Sequence, residues 1–270
     1  MECITGHRQA EPIMGEGNHW HFHEEMELTL FVAGAGTRFV GDQIEAFVAG
    51  DLVILGSNLP HYWHVEGVSQ GVSVQWHFPP GHPLRALPEM GTLGELSRRA
   101  NRGMRLCGKT SELVARMLKK IPTETGMGQL ALFIRVLGVI LEAPEADLTP
   151  LSERTFSLQA ESIYQPAIAR AVSHLAANFR YEIRLEDVLA LTHLSRPTFS
   201  RQFKKYSGRT FSELLNGLRL EAACRELLKT DRSILDIALG CGFTQVSFFN
   251  RLFRRQMNCS PSQYRAQQGS

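Results

Sequence analysis

Long apolar runs and paired cysteines are absent from this sequence, and each absence excludes a class of protein. The longest apolar stretch, QLALFIRVLGVILEA, is too short to cross a bilayer and is interrupted by Arg135. The N-terminal segment MECITGHRQAEPIMG lacks the apolar core of a signal peptide. The five cysteines form no CxxC pair, which argues against a zinc ribbon and a disulfide framework. We therefore expect a cytoplasmic protein with reduced thiols and no membrane association.

The formal net charge is also small, but its distribution along the chain is uneven. The whole sequence carries +2, whereas residues 165–270 contain 16 Lys and Arg against 8 Asp and Glu. The C-terminal part therefore carries +8 and the rest of the chain −6. A basic segment joined to an acidic one indicates that the C-terminal part is the one that meets a polyanion.

Local patterns divide the chain into a β-rich beginning and a helical end. Short alternating runs such as EMELTLFVAG and GVSVQWHF, punctuated by glycines, predict a small antiparallel sandwich or barrel over residues 1–90. Two amphipathic stretches within residues 91–145 predict helices that either pack under the sheet or form a dimer. The segment EAPEADLTPLSERTFSLQAESIYQP has three prolines and few large apolar residues, which predicts a linker at residues 146–165. Residues 166–270 are helical in pattern throughout.

The last third of the sequence contains an internal repeat. LEDVLALTHLSRPTFSRQFKKYSGRTFSEL matches ILDIALGCGFTQVSFFNRLFRRQMNCSPSQY at an offset of 49 residues before the turn and 50 after it. Each copy predicts a short helix, a tight turn and a second helix that begins at a capping residue, Ser195 or Thr244. Gly208 and Asn258 are expected to end these second helices in the left-handed conformation.

Each copy has the pattern of a helix-turn-helix. Phe199 and Phe203, like Phe249 and Phe253, are spaced to form a buried stripe, which turns their polar neighbours toward solvent or a ligand. An exposed face of Arg, Ser, Asn and Gln suits hydrogen bonding to base edges in a major groove. The intervening TFSELLNGLRLEAACRELLKT predicts a helix of about 30 Å, close to the roughly 34 Å between successive major grooves on one face of DNA.

These residues resemble the DNA-binding domain of the AraC family of bacterial transcription regulators. The resemblance is carried by IALGCGFTQVSFFNRLFRRQMNCSPSQYR, is supported by SRPTFSRQFKKYSGRTFSELLNGLRLEAA, and covers the last third of the chain. It implies that bases are read by Arg196, Pro197, Ser200, Arg201, Gln245, Val246, Ser247, Asn250 and Arg251. It implies phosphate contacts by Lys204, Lys205, Arg254 and Arg255. His193 departs from the family pattern, which usually has glycine at this place in the first turn.

The stretch HWHFHEEMEL, residues 19–28, is rich in side chains that bind ligands or metals. In an extended strand His21, His23 and Glu27 would point the same way, and His61 follows the turn GSNLP. This set resembles the HxH, Glu and His pattern of cupins, and GDLVILGSNLPHYW resembles their second motif. The resemblance implies a cupin-like barrel and leaves three alternatives open: a divalent transition metal, a small polar effector bound without metal, or a histidine network with no ligand. The metal ligands would be His21, His23, Glu27 and His61. The effector-binding residues would be His21, His23, Glu27, Arg38, His61, Trp63, Gln75 and His77.

Together these patterns predict an α+β multidomain protein. It would have an N-terminal all-β cupin-like barrel with a helical dimerisation segment, and a C-terminal all-α domain of two helix-turn-helix motifs joined by a long helix. The resemblance implies a sequence-specific transcription regulator, an activator, rather than an enzyme. Its expected partners are operator DNA, a small polar effector such as a sugar, RNA polymerase and a second copy of the chain, in the bacterial cytoplasm at the nucleoid. The alternative is a metal-binding cupin, a metal sensor or metal-dependent enzyme, fused to a DNA-binding domain.

Overall fold

The computed structural model describes residues 2–8, 19–156, 158 and 162–268. It divides into two compact units, one of residues 1–43 and 47–162, the other of residues 44–46 and 163–270. Residues 9–18 of the predicted barrel, and residues 157 and 159–161 of the predicted linker, lie outside the described residues. The expected combination of an antiparallel β unit and a helical unit is confirmed.

The first unit is built on a curled antiparallel sheet, a half-barrel, with seven strands in the described residues. The strands are β1 Glu2–Arg8, β2 Met26–Val40, β3 Gln43–Phe47, β4 Leu52–Leu55, β5 His61–Trp76, β6 Met104–Leu106 and β7 Leu148–Pro150. Their order is β1-β5-β2-β4-β6-β7, and β3 pairs with β2. The pairing of β2 with β5 shifts register on either side of Ala33, and such bulges bend and twist a sheet.

Side-chain alternation along β2 and β5 gives the sheet two different faces. The outer face carries Met26, Leu28, Leu30, Val74 and Trp76, all part of one hydrophobic cluster. The inner face carries Glu27, Thr29, Ser73 and Gln75. Glu27 is the cross-strand partner of Gln75, and Thr29 is the partner of Ser73, so the four polar side chains project from the same side. The inner face therefore places side by side polar residues that are spread over 49 residues of the sequence.

Three α-helices pack on the outer face: α1 Leu93–Ala100, α2 Gly108–Leu118 and α3 Gly126–Leu141. Helix α3 buries Phe133, Val136, Leu137 and Ile140 in the outer-face cluster. Other apolar side chains of α3, including Leu132 and Ile134, are partly buried against the same cluster. The helix thus takes the packing role that its sequence pattern allowed.

Two short strands lie in segments that were predicted to be helical or a linker. Strand β6, inside residues 91–145, pairs with β4, and β7, inside residues 146–165, pairs with β6. Leu148 and Leu151 are buried, so residues 148–150 belong to the sheet and not to the predicted linker. Sequence pattern misses both strands because three residues are too few to reveal an alternation.

Apart from residues 44–46, which belong to strand β3, the regular structure of the second unit is helical in its described residues. Its helices are α4 Gln165–Asn178, α5 Leu185–Thr192, α6 Arg196–Ser207, α7 Phe211–Lys229, α8 Ile234–Gly240, α9 Val246–Met257 and α10 Pro261–Gln268. Helices α5 and α6 form the first helix-turn-helix, α8 and α9 form the second, and α7 joins them. No helix in the described residues has the length and apolar character that a bilayer crossing requires.

Candidate DNA-binding surface and effector site

Helix α6 has one buried face and one basic face. Phe199, Phe203 and Tyr206 are buried in the core of the second unit, and the rings of Phe199 and Phe203 lie 5.0 Å apart. The exposed side chains include Arg196, Pro197, Ser200, Arg201, Lys204 and Lys205. Every residue predicted to contact DNA from this helix is therefore open to solvent.

Helix α9 repeats this arrangement. Phe249, Leu252 and Phe253 are buried. Gln245, Ser247, Arg251, Arg254 and Arg255 are exposed, and Val246 and Asn250 are half-buried. The guanidinium of Arg251 lies 5.7 Å from the ring centroid of Phe248, which supports its extended side chain on an apolar surface.

The start of α9 differs from the prediction by one residue. The N-cap is Gln245, not Thr244, while α6 does begin after Ser195. Helices α6 and α9 therefore repeat at an offset of 50, so the additional residue of the second copy precedes the cap. Neither N-cap side chain bonds a backbone N–H of its helix; the Ser195 hydroxyl instead donates to the Thr198 hydroxyl at 3.0 Å.

Helix α7 sets the separation between the two motifs. Its 19 residues span about 28 Å at ~1.5 Å per residue, close to one turn of DNA. A reciprocal capping box fixes its start, since Thr210 accepts from the Glu213 N–H while Glu213 accepts from the Thr210 N–H at 2.8 Å. Ser260 and Gln263 form the equivalent pair before α10.

Charged side chains tie α7 to the second motif. Glu226 of α7 accepts from Arg180 at 2.8 Å and from Arg232 at 2.6 Å. Arg180 also donates to the carbonyl of Gly240, the last residue of α8. Arg219 of α7 donates to the Phe179 and Tyr181 carbonyls that follow α4. These bonds connect α7 to the segment that follows α4 and to both ends of α8.

The cations of the exposed faces are largely available for a polyanion. Arg196 pairs with Glu186 at 3.8 Å, and both side chains are well exposed, so the pair is weak. In the described part of the chain, Arg201, Lys204, Arg254 and Arg255 form no ion pair with an acidic side chain. A phosphate backbone would thus meet positive charge without having to displace an internal partner.

The predicted histidines meet on the inner face of the sheet. The ring centroids of His21 and His61 lie 4.3 Å apart, and those of His23 and His61 lie 5.1 Å apart. Glu27 Oε2 lies 3.4 Å from His23 Nε2 and 3.9 Å from His61 Nε2. The structure therefore brings these four residues close to one another, and their use as a binding site stays a prediction.

The route by which His21 and His23 reach the site is not the one expected. Strand β2 begins at Met26, so neither histidine is in it, and the chain bends at Glu24 and Glu25. His21 instead forms an isolated β-bridge with His61, with backbone hydrogen bonds of 3.1 and 2.9 Å. Pairing with the start of β5 brings the histidines to Glu27.

The ionisable groups of the cluster have pKa values that are shifted in different directions. Burial lowers the pKa of His21 well below its ordinary value, and His61 adds to that effect. Burial alone would lower the pKa of His23, but hydrogen bonding to Glu27 raises it. Burial likewise opposes ionisation of Glu27, yet His23, His61 and its other partners hold the pKa of this carboxyl well below its usual range. The cluster therefore combines an ionised carboxylate with imidazoles of unequal basicity.

Of the other predicted effector residues, Gln75 joins the cluster and Arg38 does not. Gln75 donates to Glu27 Oε2 at 2.8 Å. Arg38 is fully buried and forms an ion pair with Asp51, for which the sequence predicted no role. Its guanidinium therefore has a structural partner within the fold.

Of the last two predicted effector residues, Trp63 lies beside the cluster and His77 does not. The Trp63 ring lies 5.4 Å from that of His61, and its buried Nε1 has no hydrogen-bond partner among the described residues. His77 is exposed and bonds the Glu24 carbonyl at 3.2 Å, away from the cluster. Thr29 and Ser73, whose hydroxyls lie 2.8 Å apart beside Glu27, were missed, although Thr29 has the same parity in β2 as Glu27.

A family model described as a helix-turn-helix domain matches residues 188–267. The match begins within α5 and ends within α10, so it includes α6, α7, α8 and α9. It therefore covers nearly all of both helix-turn-helix motifs.

Several proteins that this chain resembles are named as transcription activators. Over 255 residues the chain is 25% identical to the HTH-type transcriptional activator RhaS of Pectobacterium carotovorum subsp. carotovorum, covering 92% of this chain and 87% of that protein. Over 268 residues it is 22% identical to the activator RhaR of Mannheimia succiniciproducens, covering 96% and 93%. A shorter match to RhaS of Enterobacter sp. is 41% identical over 91 residues, covering 34% and 33%. The two long matches include most of the first unit as well as the second.

Proposed function

We propose that this chain, which carries the helix-turn-helix domain of the AraC family of bacterial transcription regulators, activates transcription at specific operators in response to a small polar effector. The observation that carries the proposal is the pair of exposed basic helices, α6 and α9, on either side of the 19-residue helix α7. Each helix offers side chains of the kind that read base edges, flanked by cations for phosphates. The base readers would be Arg196, Pro197, Ser200, Arg201, Gln245, Val246, Ser247, Asn250 and Arg251, and the phosphate contacts would be Lys204, Lys205, Arg254 and Arg255.

The effector would bind on the inner face of the half-barrel. Here the Trp63 Nε1–H is buried without a partner among the described residues, which costs roughly 1–3 kcal/mol unless a ligand supplies an acceptor. Thr29, Ser73 and Gln75 add hydroxyl and amide groups on the same face, beside Glu27. A polyhydroxylated molecule such as a sugar is the first class to test, since it can both accept from Trp63 and exchange hydrogen bonds with these groups.

Effector binding would change DNA affinity by shifting the equilibrium between conformations of the chain. Occupation of the inner face would change how the sheet packs on α1, α2 and α3, and so bias the DNA-binding form of the chain. We place this regulator in the cytoplasm, as a homodimer that contacts RNA polymerase at the promoter. Sedimentation of the full chain with and without effector measures the oligomeric state directly.

The test is selection of binding sequences from a random DNA pool with the full chain, followed by affinity measurements with a panel of sugars. We expect an enriched site with two contacted segments about 10 base pairs apart. We also expect at least one sugar to change operator affinity by about 5-fold or more. The variant Trp63→Phe should retain DNA binding and lose the sugar response. Failure to enrich any sequence would exclude the DNA-binding proposal, whereas enrichment without any response would exclude the effector.

A metal-dependent enzyme fused to a DNA-binding domain is the competing proposal, and the histidine cluster is the observation in its favour. An enzyme of this kind needs an open coordination position and consumes its substrate, whereas a regulator releases its ligand unchanged. Recovery of the bound small molecule after incubation with the chain distinguishes the two. We expect the molecule to be recovered intact.

A further inference from the structure

A cavity of about 250 Å³ lies in the first unit, between α1 and the outer face of the sheet. Met26 and Trp76, cross-strand partners at one end of the β2–β5 pair, form part of its wall, and Leu93 and Leu96 of α1 form another part. Phe78, which follows β5, adds a second aromatic ring. An apolar cavity of about 150 Å³ holds one benzene molecule, so this cavity has room for an aromatic ring and a short chain attached to it.

The aromatic walls of the cavity are held in place by the core behind them. The Trp76 ring lies 5.2 Å from the Phe133 ring of α3 in a T-shaped arrangement. The Phe78 ring lies 6.4 Å from the same Phe133 ring and 4.9 Å from the His82 ring. Side chains that are already fixed by their neighbours lose little conformational entropy when a ligand packs against them, so the cavity is suited to bind an apolar group.

Arg85 gives this apolar cavity a positive charge. It belongs to a short 3₁₀ turn, Pro83–Ala86, whose start is fixed because His82 Nδ1 accepts from the Leu84 N–H at 3.2 Å. The Arg85 side chain is half-buried, and its Nε is buried without a hydrogen-bond partner in the described part of the chain. No described Asp or Glu lines the cavity to balance the charge. A buried donor without an acceptor is destabilising, so the cavity favours a ligand that supplies the acceptor.

The other polar side chains that line the cavity do not need a ligand. The Ser97 hydroxyl donates to the Leu93 carbonyl at 3.0 Å, and His77 Nδ1 bonds the Glu24 carbonyl at 3.2 Å. Ser57 is exposed to solvent. The chemistry of the cavity is therefore that of an apolar container with a single cationic donor group.

We propose that this cavity binds a small monocarboxylate with an aromatic or branched aliphatic body, whose carboxylate pairs with Arg85. Arginine Nε and one terminal nitrogen form two parallel hydrogen bonds with a carboxylate, which would satisfy the unpaired Nε. A phosphate dianion fits less well, because its second negative charge would be desolvated without a counter-charge. A sugar would place hydroxyl groups against the apolar walls. The cavity is separate from the inner-face effector site, so this binding does not depend on the proposed function.

The test is isothermal titration calorimetry of the full chain with 3-phenylpropionate, using 3-phenylpropionamide as the uncharged analogue. We expect one 3-phenylpropionate per chain, with a Kd below about 1 mM, bound about 10-fold or more tightly than the amide. Phenyl phosphate should bind more weakly than the carboxylate. DNA binding is measured on the same preparation without these compounds, so a failure of this proposal is distinct from a failure of the proposed function.

Two arginine substitutions locate the bound carboxylate. Arg85→Gln should weaken 3-phenylpropionate binding by about 10-fold or more and leave the affinity for the amide nearly unchanged. Arg98→Gln is the matched control, because Arg98 is a well-exposed residue of α1 that pairs with Glu95 and does not line the cavity. This control should bind 3-phenylpropionate as the unmodified chain does.

Circular dichroism checks that each variant is folded, and Arg85→Lys replaces Arg85→Gln if the latter unfolds. Lysine keeps the charge but lacks the two parallel donors, so we expect this variant to bind the carboxylate several-fold more weakly than the unmodified chain. Absence of saturable 3-phenylpropionate binding, equal affinity for the acid and the amide, or tighter binding of phenyl phosphate would overturn the proposal. Equal affinity of the folded Arg85 variant and Arg98→Gln would overturn it as well, because the carboxylate would then bind elsewhere.

Discussion

His193 and Gly242 occupy the same place in the two helix-turn-helix motifs, and the backbone is left-handed at both, with φ of 56° and 89°. The offset of 49 residues that relates the first helices of the motifs relates these two positions as well. Glycine adopts this conformation without cost, whereas a residue with a Cβ pays about 1–2 kcal/mol. The first turn therefore contains strain that the second does not.

His193→Gly should raise the free energy of unfolding of the second unit, by up to about 1 kcal/mol, because relief of strain exceeds the entropy gained by the unfolded chain. Gly242→Ala should lower it by about 2 kcal/mol or more, since a Cβ there would lie 2.6 Å from the Phe179 carbonyl oxygen. Urea unfolding followed by far-UV circular dichroism measures both. The three tryptophans all lie in the first unit, so their fluorescence transition should stay unchanged as an internal control.

The buried pair of Arg38 and Asp51 should matter for stability and not for effector contact. Their side chains are 0% and 7% exposed, so Asp51→Asn leaves a buried guanidinium without its counter-charge. We expect the free energy of unfolding of the first unit to fall by roughly 3–5 kcal/mol. Tryptophan fluorescence during urea unfolding measures this change. If the Asp51→Asn variant were as stable as the unmodified chain, the structural role of the pair would be wrong and Arg38 would again be a candidate for effector contact.

The repeat shows why the DNA-binding unit could be predicted from sequence. A match at offsets of 49 and 50 fixes both motifs at once, and the paired phenylalanines then identify which face of each helix is buried. The N-cap of α9 was misplaced by one residue because Thr244 is the better capping residue, while the extra residue in the turn moves the helix start to Gln245.

The histidine cluster was predicted in part for the wrong reason. Parity in a strand grouped His21, His23 and Glu27, although the strand begins only at Met26; pairing of His21 with His61 produces the same convergence. The partner of Arg38 was missed because no local pattern links it to Asp51, which comes from the loop before β4. Contacts of this kind depend on the tertiary fold and leave no period in the sequence.

Glu226 should be required for the stability of the second motif. It is 17% exposed and accepts from both Arg180 and Arg232, so Glu226→Gln weakens two charge-assisted hydrogen bonds. We expect the free energy of unfolding of the second unit to fall by roughly 1–3 kcal/mol in circular dichroism. The control is Glu182→Gln, which breaks a well-exposed pair with Arg184 and should leave the free energy of unfolding nearly unchanged. Equal effects of the two substitutions would contradict the proposed role of Glu226.

Two cysteines should resist alkylation in the folded chain. Burial raises the pKa of Cys224 to about 12 and that of Cys241 to about 11. The thiolate is the reactive form, so both thiols stay neutral and unreactive at about pH 8 and react only as the pH approaches those values or the chain unfolds. Mass spectrometry after iodoacetamide treatment, with and without urea, measures the modification of each cysteine. Rapid labelling of Cys224 or Cys241 in the native chain would show that its site opens.

Substitutions of base readers and of phosphate contacts on α6 and α9 should affect DNA affinity differently. Arg201→Ala and Arg251→Ala should each weaken binding to the selected operator by roughly 1–3 kcal/mol and relax its base preference. Lys204→Ala should instead weaken operator and random DNA alike and reduce the slope of log affinity against log salt by about 1. Competition binding over a range of salt concentrations separates the two effects. Arg98→Ala, an exposed arginine of the first unit, is the control for lost positive charge. If all three substitutions changed operator and random DNA equally, α6 and α9 would contact only the DNA backbone, and the groove assignment would be wrong.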